Sequence, residues 1–306
     1  MLAAVILVVL LAGGLVAAEA MLKVPRPAGS AASACEPHRT PREPYLGVAL
    51  SRPSSQALTA FTRASGITPS VVELYVKFGS PFRRPLLCRL TSQGALPLIQ
   101  LNPRTASLAR IAAGDYDRGL RRYAQQAARF GLPIALSFGH EMNGNWYDWG
   151  YEHVRPALFI RAWRHIHDVF AEAGARNVIW VWTVDREGSP KLVSPARRWW
   201  PGSAYVTWVG INGKYDTSRD TFFSVFARSV VSTAALTSKP ILLTETGVGR
   251  GPRQSAQIRS LFQGLAREPQ IIGMVWFDVD AAHGDWKLEG DPGADTAFRS
   301  AALHYR

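Results

Sequence analysis

Residues 133–146 read PIALSFGHEMNGNW, a short apolar run followed at once by a histidine, a glutamate and, two residues later, an amide. The apolar part, residues 133–139, has the length and composition of a buried strand. Glu141 therefore stands where that strand ends. A second carboxylate, Glu245, follows another apolar run, PILLT at residues 240–244. The sequence thus predicts a glutamate at the end of each of two buried strands.

Six further apolar runs of similar length occur along the chain, so eight strands are predicted in all. They are Tyr45–Leu50, Val71–Val76, Leu96–Leu101, Ile134–Phe138, Val178–Trp182, Tyr205–Ile211, Ile241–Thr244 and Ile272–Phe277. Between them apolar residues recur at helical spacing, most clearly in residues 116–130, 159–170 and 258–265. Alternating strands and helices predict parallel βαβ units, and eight units predict an α/β fold, a single (β/α)8 or TIM barrel. The 306 residues would also allow two domains.

In such a barrel the carboxyl ends of the strands meet at one rim, where the active site lies. The residues that follow the strands are therefore the site candidates. Glu141 and Glu245 would supply the two carboxyl groups, about 5–5.5 Å apart, that retaining hydrolysis of a glycosidic bond requires. The alternative for Glu141 is a surface glutamate, and the alternative for Glu245 is a buried partner of an arginine.

Polar residues near these glutamates are candidates for substrate binding. His140 is expected to bind a sugar hydroxyl or to steady a carboxylate, and Asn143 lies three residues further on. Tyr215 follows the sixth strand, where it would hold Glu245 in its ionised form. Packing at the rim is the alternative role for this tyrosine.

Tryptophans are the candidate stacking surfaces for sugar rings. The chain contains 10 of them, and Trp146, Trp182 and Trp276 stand at or after predicted strand ends. Aromatic rings offer large apolar faces with a specific geometry, which suits the C–H faces of sugars. These three side chains are therefore expected to line the substrate site.

A metal-dependent interpretation is disfavoured by spacing. His140 and Glu141 resemble the start of the zinc-protease motif, which requires a second histidine where this chain has Gly144. His165 and His167 are two residues apart in a predicted helix, so they point to different faces. The sequence also lacks a phosphate-binding glycine loop, a nucleophile elbow and a nucleotide fingerprint. We therefore expect no metal and no cofactor.

The first twenty residues differ from the rest of the chain. Residues 2–18 are apolar or small, and residues 18–20 read AEA, the form of a signal-peptidase site. The run is short for a membrane span of about 20 residues, so residues 1–20 are predicted to be a signal peptide, with an uncleaved anchor as the alternative. The protein would then be secreted, or anchored on the extracellular side. Residues 21–43 form a predicted linker, and residues 44–306 the catalytic barrel.

Two cysteines, Cys35 and Cys88, are present. In an exported protein they could pair and tie the N-terminal arm to the barrel. Two unpaired thiols, with Cys88 as a small core residue, are the alternative. Neither interpretation is preferred from the sequence.

The net charge of +12 comes from 35 basic and 23 acidic residues. A genome rich in G and C is one explanation, since most of the basic residues are arginines. Attraction to an anionic polymer, an acidic polysaccharide or a nucleic acid, is the other. No stripe of basic residues with interleaved aromatic residues occurs, so nucleic acid is not an expected partner.

Four motifs together resemble glycoside hydrolase family 26, a group of β-mannanases and related endo-glycanases with retaining barrels. The motifs are HEMNGNW at residues 140–146, NVIWVW at residues 177–182, ETG at residues 245–247 and WF at residues 276–277. The resemblance covers residues 45–304. One departure is Ser137, which stands where family mannanases usually have an arginine.

The resemblance implies a role for each of five residues. Glu141 would be the acid/base and Glu245 the nucleophile, with Tyr215 as the partner of the nucleophile. Trp146 and Trp276 would line the subsites nearest to the cleaved bond. The expected substrate is β-1,4-mannan, and mixed-linkage β-glucan and β-1,3-xylan are alternatives because the family includes enzymes that act on them.

Two classes of function are consistent with these features. The first is an exported, monomeric, retaining endo-β-glycanase whose partner is a polysaccharide substrate. The second is a non-hydrolytic sugar-binding barrel, which would keep the tryptophans but would not need both glutamates. The presence of both glutamates at strand ends favours the enzyme. An enzyme for an acidic polysaccharide is a further alternative, since it would make use of the positive charge.

Overall fold

The computed structural model describes Cys35 and residues 43–189, 193–281 and 284–305. The predicted signal or anchor segment at residues 1–20 lies outside these residues, and so does most of the predicted linker at residues 21–43. None of the helices in the described ranges combines the length and the apolarity that crossing a membrane requires.

Eight parallel strands close into a barrel, which confirms the predicted fold class. They are β1 (Tyr45–Ala49), β2 (Val71–Lys77), β3 (Leu96–Asn102), β4 (Ile134–Phe138), β5 (Val178–Asp185), β6 (Trp208–Asn212), β7 (Ile241–Thr246) and β8 (Ile271–Phe277). Pairing of β1 with β8 completes the circle. The sixth strand begins later than predicted because Ser203–Tyr205 forms a 3-10 turn.

Helices connect most of the strands, and between β5 and β6 the described residues form two 3-10 turns, Ala196–Trp199 and Ser203–Tyr205. The helices are α1 (Ser55–Ser65), α2 (Arg84–Ser92), α3 (Leu108–Ala112), α4 (Asp117–Phe130), α5 (Pro156–Glu172), α6 (Arg228–Leu236), α7 (Gln254–Arg267) and α8 (Pro292–Tyr305). The boundary between α4 and β4 shows how the sequence ends a helix. Gly131 adopts a φ of 74°, which glycine tolerates without strain, and its N–H donates to the carbonyl of Ala127.

Side chains along each strand alternate between two cores. The smaller core is formed by alternate strand residues inside the barrel: Ala49, Val71, Leu96, Leu98, Ala135, Val181, Trp208, Leu242, Ile272 and Val275. The larger core lies between the strands and the helices and includes Val48, Val72, Leu136, Trp182 and Trp276. The position of a residue along its strand therefore decides whether its side chain faces the barrel interior or the helices.

Cys35 and Cys88 form a disulfide, with their Cα atoms 5.0 Å apart. Cys88 lies in α2. The bond therefore ties residue 35 to the helical layer of the barrel.

Candidate active site

A cavity of about 800 Å³ opens where the barrel strands end. Glu141, just after β4, and Glu245, near the end of β7, both line it. The charged lining residues are Glu141, Asp185, Asp216, Glu245 and Asp285 together with Arg186, Lys214 and Arg250. The structure thus brings the two predicted carboxylates, more than 100 residues apart in sequence, to one cavity.

The turn that carries Glu141 departs from strand geometry. Gly139 has a φ of 56°, and a Cβ at this position would stand 2.9 Å from the ring of Phe159, so glycine is required. Glu141 itself has a φ of 54°, which is uncommon for a residue with a side chain. Its N–H donates to the carbonyl of Thr183 at 2.9 Å, which holds this conformation in place. Strain of this kind is concentrated at functional sites.

Glu141 accepts hydrogen bonds from two neutral donors. Trp146 Nε1–H donates to Oε2 at 2.6 Å, and Asn212 Nδ2–H donates to Oε1 at 2.8 Å. The Trp146 ring lies over Gly144, where a Cβ would stand 2.2 Å from a ring carbon. The glycine of the HEMNGNW motif therefore allows the indole to reach the glutamate, and Trp146 lines the cavity.

His140 and Asn143 support this turn from below the cavity. Asn143 is fully buried, and its side chain accepts from the N–H of Asp185 at 2.8 Å and donates to the carbonyl of the same residue at 2.9 Å. The prediction that Asn143 binds substrate is therefore wrong. His140 is also buried, with Nδ1 2.8 Å from Asn102 Oδ1 and Nε2 3.2 Å from Tyr147 Oη. Burial lowers the pKa of His140 below its ordinary value.

Glu245, in contrast, is bound by a cation and a phenol. Lys214 Nζ lies 2.8 Å from Oε2, and Tyr75 Oη donates to Oε1 at 2.8 Å. Burial by itself raises the pKa of Glu245, but Lys214, His140 and Tyr75 together leave the pKa below its ordinary value. Burial likewise opposes the charge of Lys214, yet Glu245 keeps the pKa of this lysine raised. Both groups are therefore charged at neutral pH.

A backbone hydrogen bond places Lys214 beside Glu245. The N–H of Gly213 donates to the carbonyl of Glu245 at 2.8 Å, which aligns the segment after β6 with β7. Consecutive side chains of an extended segment point to opposite sides. Lys214 therefore faces the cavity, whereas Tyr215 faces away and is only 1% exposed. The predicted contact between Tyr215 and Glu245 is wrong, and Tyr75 of β2 makes it instead.

Two of the predicted stacking tryptophans lie outside the barrel interior. Trp276 and Trp182 are fully buried between the strands and the helices. Trp276 packs against Phe298 of α8, and Trp182 packs against Trp200. The prediction that they bind sugar rings is wrong because both occupy strand positions that face the helices.

Phe277 and Trp286 provide an aromatic wall in their place. Phe277 is the residue after Trp276 and faces the cavity, and Trp286 comes from the loop that follows β8. Their ring centroids are 5.7 Å apart. Lys214 Nζ lies 4.1 Å from the centroid of the Phe277 ring, a cation–π contact. The wall and the Lys214–Glu245 pair therefore share one side of the cavity.

A further buried acid, next to the cavity, was not predicted. Glu73 of β2 is fully buried, accepts from Gln100 Nε2 at 2.6 Å and lies 3.4 Å from Tyr75 Oη. Burial, and then the charge of Glu245, raises the pKa of Glu73 well above its ordinary value. A signal was present in the sequence, since Glu73 and Tyr75 are polar residues two positions apart in an apolar strand and must share one face.

Within the described part of the chain, no group of three or more histidine, cysteine, aspartate or glutamate side chains is arranged to hold a metal ion.

Comparison with known proteins supports the resemblance seen in the motifs. The sequence model of glycosyl hydrolase family 26 matches residues 108–261, half of the chain, and this range includes Glu141 and Glu245. The resemblance is therefore confirmed.

Two characterised relatives are glycanases. The chain is 27% identical over 265 residues to endoglucanase H of Acetivibrio thermocellus, an alignment that covers 82% of this chain and 29% of that protein. It is 25% identical over 173 residues to mannan endo-1,4-β-mannosidase A and B of Caldalkalibacillus mannanilyticus, covering 53% and 32% of the two chains. The alignments thus span about a third of the length of each relative.

A solved structure shares the fold. The catalytic domain of a family 26 endo-β-1,4-mannanase from Bacillus sp. JAMB-750 superposes with a TM-score of 0.66 at 14% identity, covering 86% of each chain. At this identity the similarity concerns the barrel architecture.

Proposed function

The chain belongs to glycosyl hydrolase family 26, and on that premise we propose that it is a retaining endo-β-glycanase with Glu245 as nucleophile and Glu141 as acid/base. The unequal surroundings of the two carboxylates in one cavity carry this proposal. Glu245 contacts an ammonium group, whereas Glu141 contacts neutral N–H donors. Retaining hydrolysis requires one ionised and one protonated carboxyl group beside the same glycosidic bond.

The reaction proceeds in two displacements. In the first, Glu141 transfers its proton to the glycosidic oxygen while a Glu245 oxygen attacks the anomeric carbon, and the leaving sugar departs. Lys214 and Tyr75 keep Glu245 ionised until the new ester bond forms. In the second, Glu141 takes a proton from water, the water oxygen attacks the anomeric carbon, and Glu245 is released as a carboxylate.

Aromatic rings on two sides of the cavity provide surfaces for the sugar chain. Trp146 follows β4, and Phe277 ends β8 with Trp286 beyond it. In a closed barrel of eight strands, β4 and β8 lie opposite each other. A sugar chain that crosses the mouth between these rings would pass both carboxylates.

The proposed substrate is β-1,4-mannan, because the HEMNGNW motif at residues 140–146 is mannanase-like and one relative is a mannan endo-1,4-β-mannosidase. Ser137, which replaces the usual arginine, is fully buried and donates to Thr183 Oγ1 at 3.0 Å, so it brings no cation to the cavity. A β-glucan is the second candidate, because the alignment with endoglucanase H covers 82% of the chain.

Cleavage assays on defined oligosaccharides of β-1,4-mannan, mixed-linkage β-glucan and β-1,3-xylan test this proposal. NMR of the first product gives the anomeric configuration, which retention keeps as β. Glu141→Gln and Glu245→Gln should each lower turnover by at least about 10²–10⁴-fold. Glu172→Gln, an exposed acid on α5, is the matched control and should retain activity.

Normal activity of Glu245→Gln would exclude it as the nucleophile. If the protein binds a β-glycan but releases reducing ends from none of the tested oligosaccharides, the non-hydrolytic sugar-binding barrel is favoured instead.

We also propose that the protein acts outside the cell, as a secreted monomer or held at the membrane by residues 2–18, because a polysaccharide of this kind is an extracellular substrate. N-terminal sequencing of the exported form and its mass in solution test this. Recovery of the active protein in the cytoplasm alone would contradict it.

A further inference from the structure

A second cavity, of about 430 Å³, adjoins the catalytic one. Ser51 and Tyr75 line both cavities, so the second continues from the first on the side of β1 and β2. Its walls are formed by residues 50–55, residues 74–76 and part of the segment 81–89. A chain bound at Glu245, which contacts Tyr75, can therefore extend directly into it.

The charges of this second cavity are all of one sign. Its charged lining residues are Arg52, Arg83 and Arg89, and no aspartate or glutamate is among the described residues that line it. The catalytic cavity, in contrast, is lined by more acidic than basic residues. We refer to the second cavity as the arginine groove.

The three arginines of the groove are available for a ligand. All three are exposed, and within the described ranges their guanidinium groups make no ion pair or hydrogen bond with another residue. Like charges that are close together without a counter-charge repel each other and attract an anion. A guanidinium group presents a planar fork of donors that matches carboxylate and sulfate oxygens.

The remaining surface of the groove suits a sugar ring. The lining includes the exposed ring of Tyr75, together with Leu50, Leu86 and Ile99, whose side chains are buried in the core between the strands and the helices. Sugar rings have apolar C–H faces, and binding sites commonly combine such surfaces with a few polar groups that fix orientation. An apolar and aromatic surface beside three cations therefore fits a ring that bears an anionic group.

We propose that the arginine groove binds an anionic sugar residue of the substrate, one that carries a carboxylate or a sulfate, beyond the residue cleaved at Glu245. This inference rests on the proposed glycanase function and refines its substrate class. The preferred polymer is then a β-glycan with acidic residues or substituents. The net positive charge of the chain would also attract such a polymer.

A binding experiment on the full chain tests the groove separately from catalysis. The probes are one β-linked hexasaccharide in three forms: neutral, oxidised to carboxylates at C6, and sulfated. The backbone is the one that the wild-type protein cleaves fastest, or mannohexaose if none is cleaved. Affinities are measured by calorimetry in a Glu141→Gln background, which keeps the probes intact.

The test variant replaces Arg52, Arg83 and Arg89 by glutamine. The matched control replaces Arg122, Arg129 and Arg267 by glutamine, which removes the same charge from exposed positions of α4 and α7 outside the groove. Each exposed ion pair contributes a factor of about 1.4–5 in affinity. The test variant should therefore bind the carboxylated or the sulfated probe about tenfold more weakly at low salt, while the neutral probe and the control should change less than about twofold.

Three results would overturn the groove proposal: equal losses for neutral and anionic probes, no loss for either anionic probe, or equal losses in the control variant. The carboxylated and sulfated probes distinguish the two kinds of anion. If the wild type cleaves no probe but the selective loss of anion binding is observed, the proposed glycanase function fails and the arginine groove stands.

Discussion

Glu73 and Glu245 contact the same hydroxyl group, that of Tyr75, yet their pKa values move in opposite directions. Burial and the charge of Glu245 raise the pKa of Glu73, whereas at Glu245 burial is outweighed, chiefly by Lys214, and the pKa is lowered. The two sites differ in one contact. Lys214 Nζ is 2.8 Å from Glu245, while Glu73 receives the neutral amide of Gln100. The position of a single cation thus separates a proposed nucleophile with a lowered pKa from an acid with a raised pKa.

The distances also indicate the direction of the hydrogen bonds that join Glu73, Tyr75 and Glu245. Tyr75 Oη carries one hydrogen, and the shorter contact, 2.8 Å against 3.4 Å, assigns that hydrogen to Glu245. A protonated Glu73 would then donate its own hydrogen to Tyr75 Oη. Hydrogen bonds that follow one another in this way polarise each other, so a protonated Glu73 would strengthen the donor that holds the proposed nucleophile.

The largest effect is expected when the cation is removed. In Lys214→Met, burial dominates at Glu245, so the pKa of Glu245 rises and the acidic limb of the kcat/KM profile moves to higher pH. Loss of the stabilising charge should lower kcat/KM at neutral pH by about 10²-fold. Initial rates across the pH range measure both changes, with Lys239→Met as a control outside the cavity. An unchanged acidic limb would show that the charge of Glu245 does not depend on Lys214.

A smaller effect should distinguish two substitutions of Glu73. Glutamine reproduces the neutral acid, because its carbonyl accepts from Gln100 and its amide donates to Tyr75, so Glu73→Gln should keep turnover within about threefold. Glu73→Ala leaves both partners unsatisfied and should lower stability by about 1–3 kcal/mol and turnover by about tenfold. Urea unfolding and steady-state kinetics measure these changes. Equal losses in the two variants would mean that Glu73 acts as an anion.

The stability of the wild type should also depend on pH through Glu73. The folded-state pKa lies above the ordinary value of 4.5, so the contribution is complete below that value and is lost as pH rises through the folded-state pKa. In Glu73→Gln, the free energy of unfolding should no longer show this decrease with rising pH.

The smallest effect on turnover is expected at Asp278, a buried acid after β8 that does not line the catalytic cavity. Burial raises its pKa to about 6, although Oδ1 accepts the N–H of Leu288 at 2.7 Å. Its contribution to stability is therefore complete below the ordinary value of 3.8 and is lost as pH rises through about 6.

Asp278→Asn keeps the acceptor but cannot ionise. When the pH is raised from 4 to 7, the free energy of unfolding should fall by about 2 kcal/mol less in this variant than in the wild type. Turnover should be nearly unchanged. Urea titrations at the two pH values measure the difference. Identical pH dependence in the two proteins would place the carboxyl group of Asp278 in water rather than in the core.

The barrel and its two glutamates were predictable because the signals are local. Eight apolar runs marked the strands, and Glu141 and Glu245 follow or end two of them. The predictions at Trp182, Trp276 and Tyr215 failed for one reason: a position near a strand end does not give the direction of the side chain. Trp276 faces the helices and Phe277 faces the cavity, although they are neighbours in sequence. The same alternation separates Tyr215 from Lys214.

The amino-acid sequence alone determined the number of strands, the closed barrel and the strand ends at which the two carboxylates lie. These features could be predicted because apolar periodicity and residue type are properties of short segments. The groups that surround each carboxylate were decided by folding. Tyr75 belongs to β2, whereas Asn212 ends β6 and Lys214 follows it, and each meets its glutamate only when the barrel closes. A charge or a proton is assigned by contacts within about 3 Å, and such contacts between distant segments exist only in the folded chain.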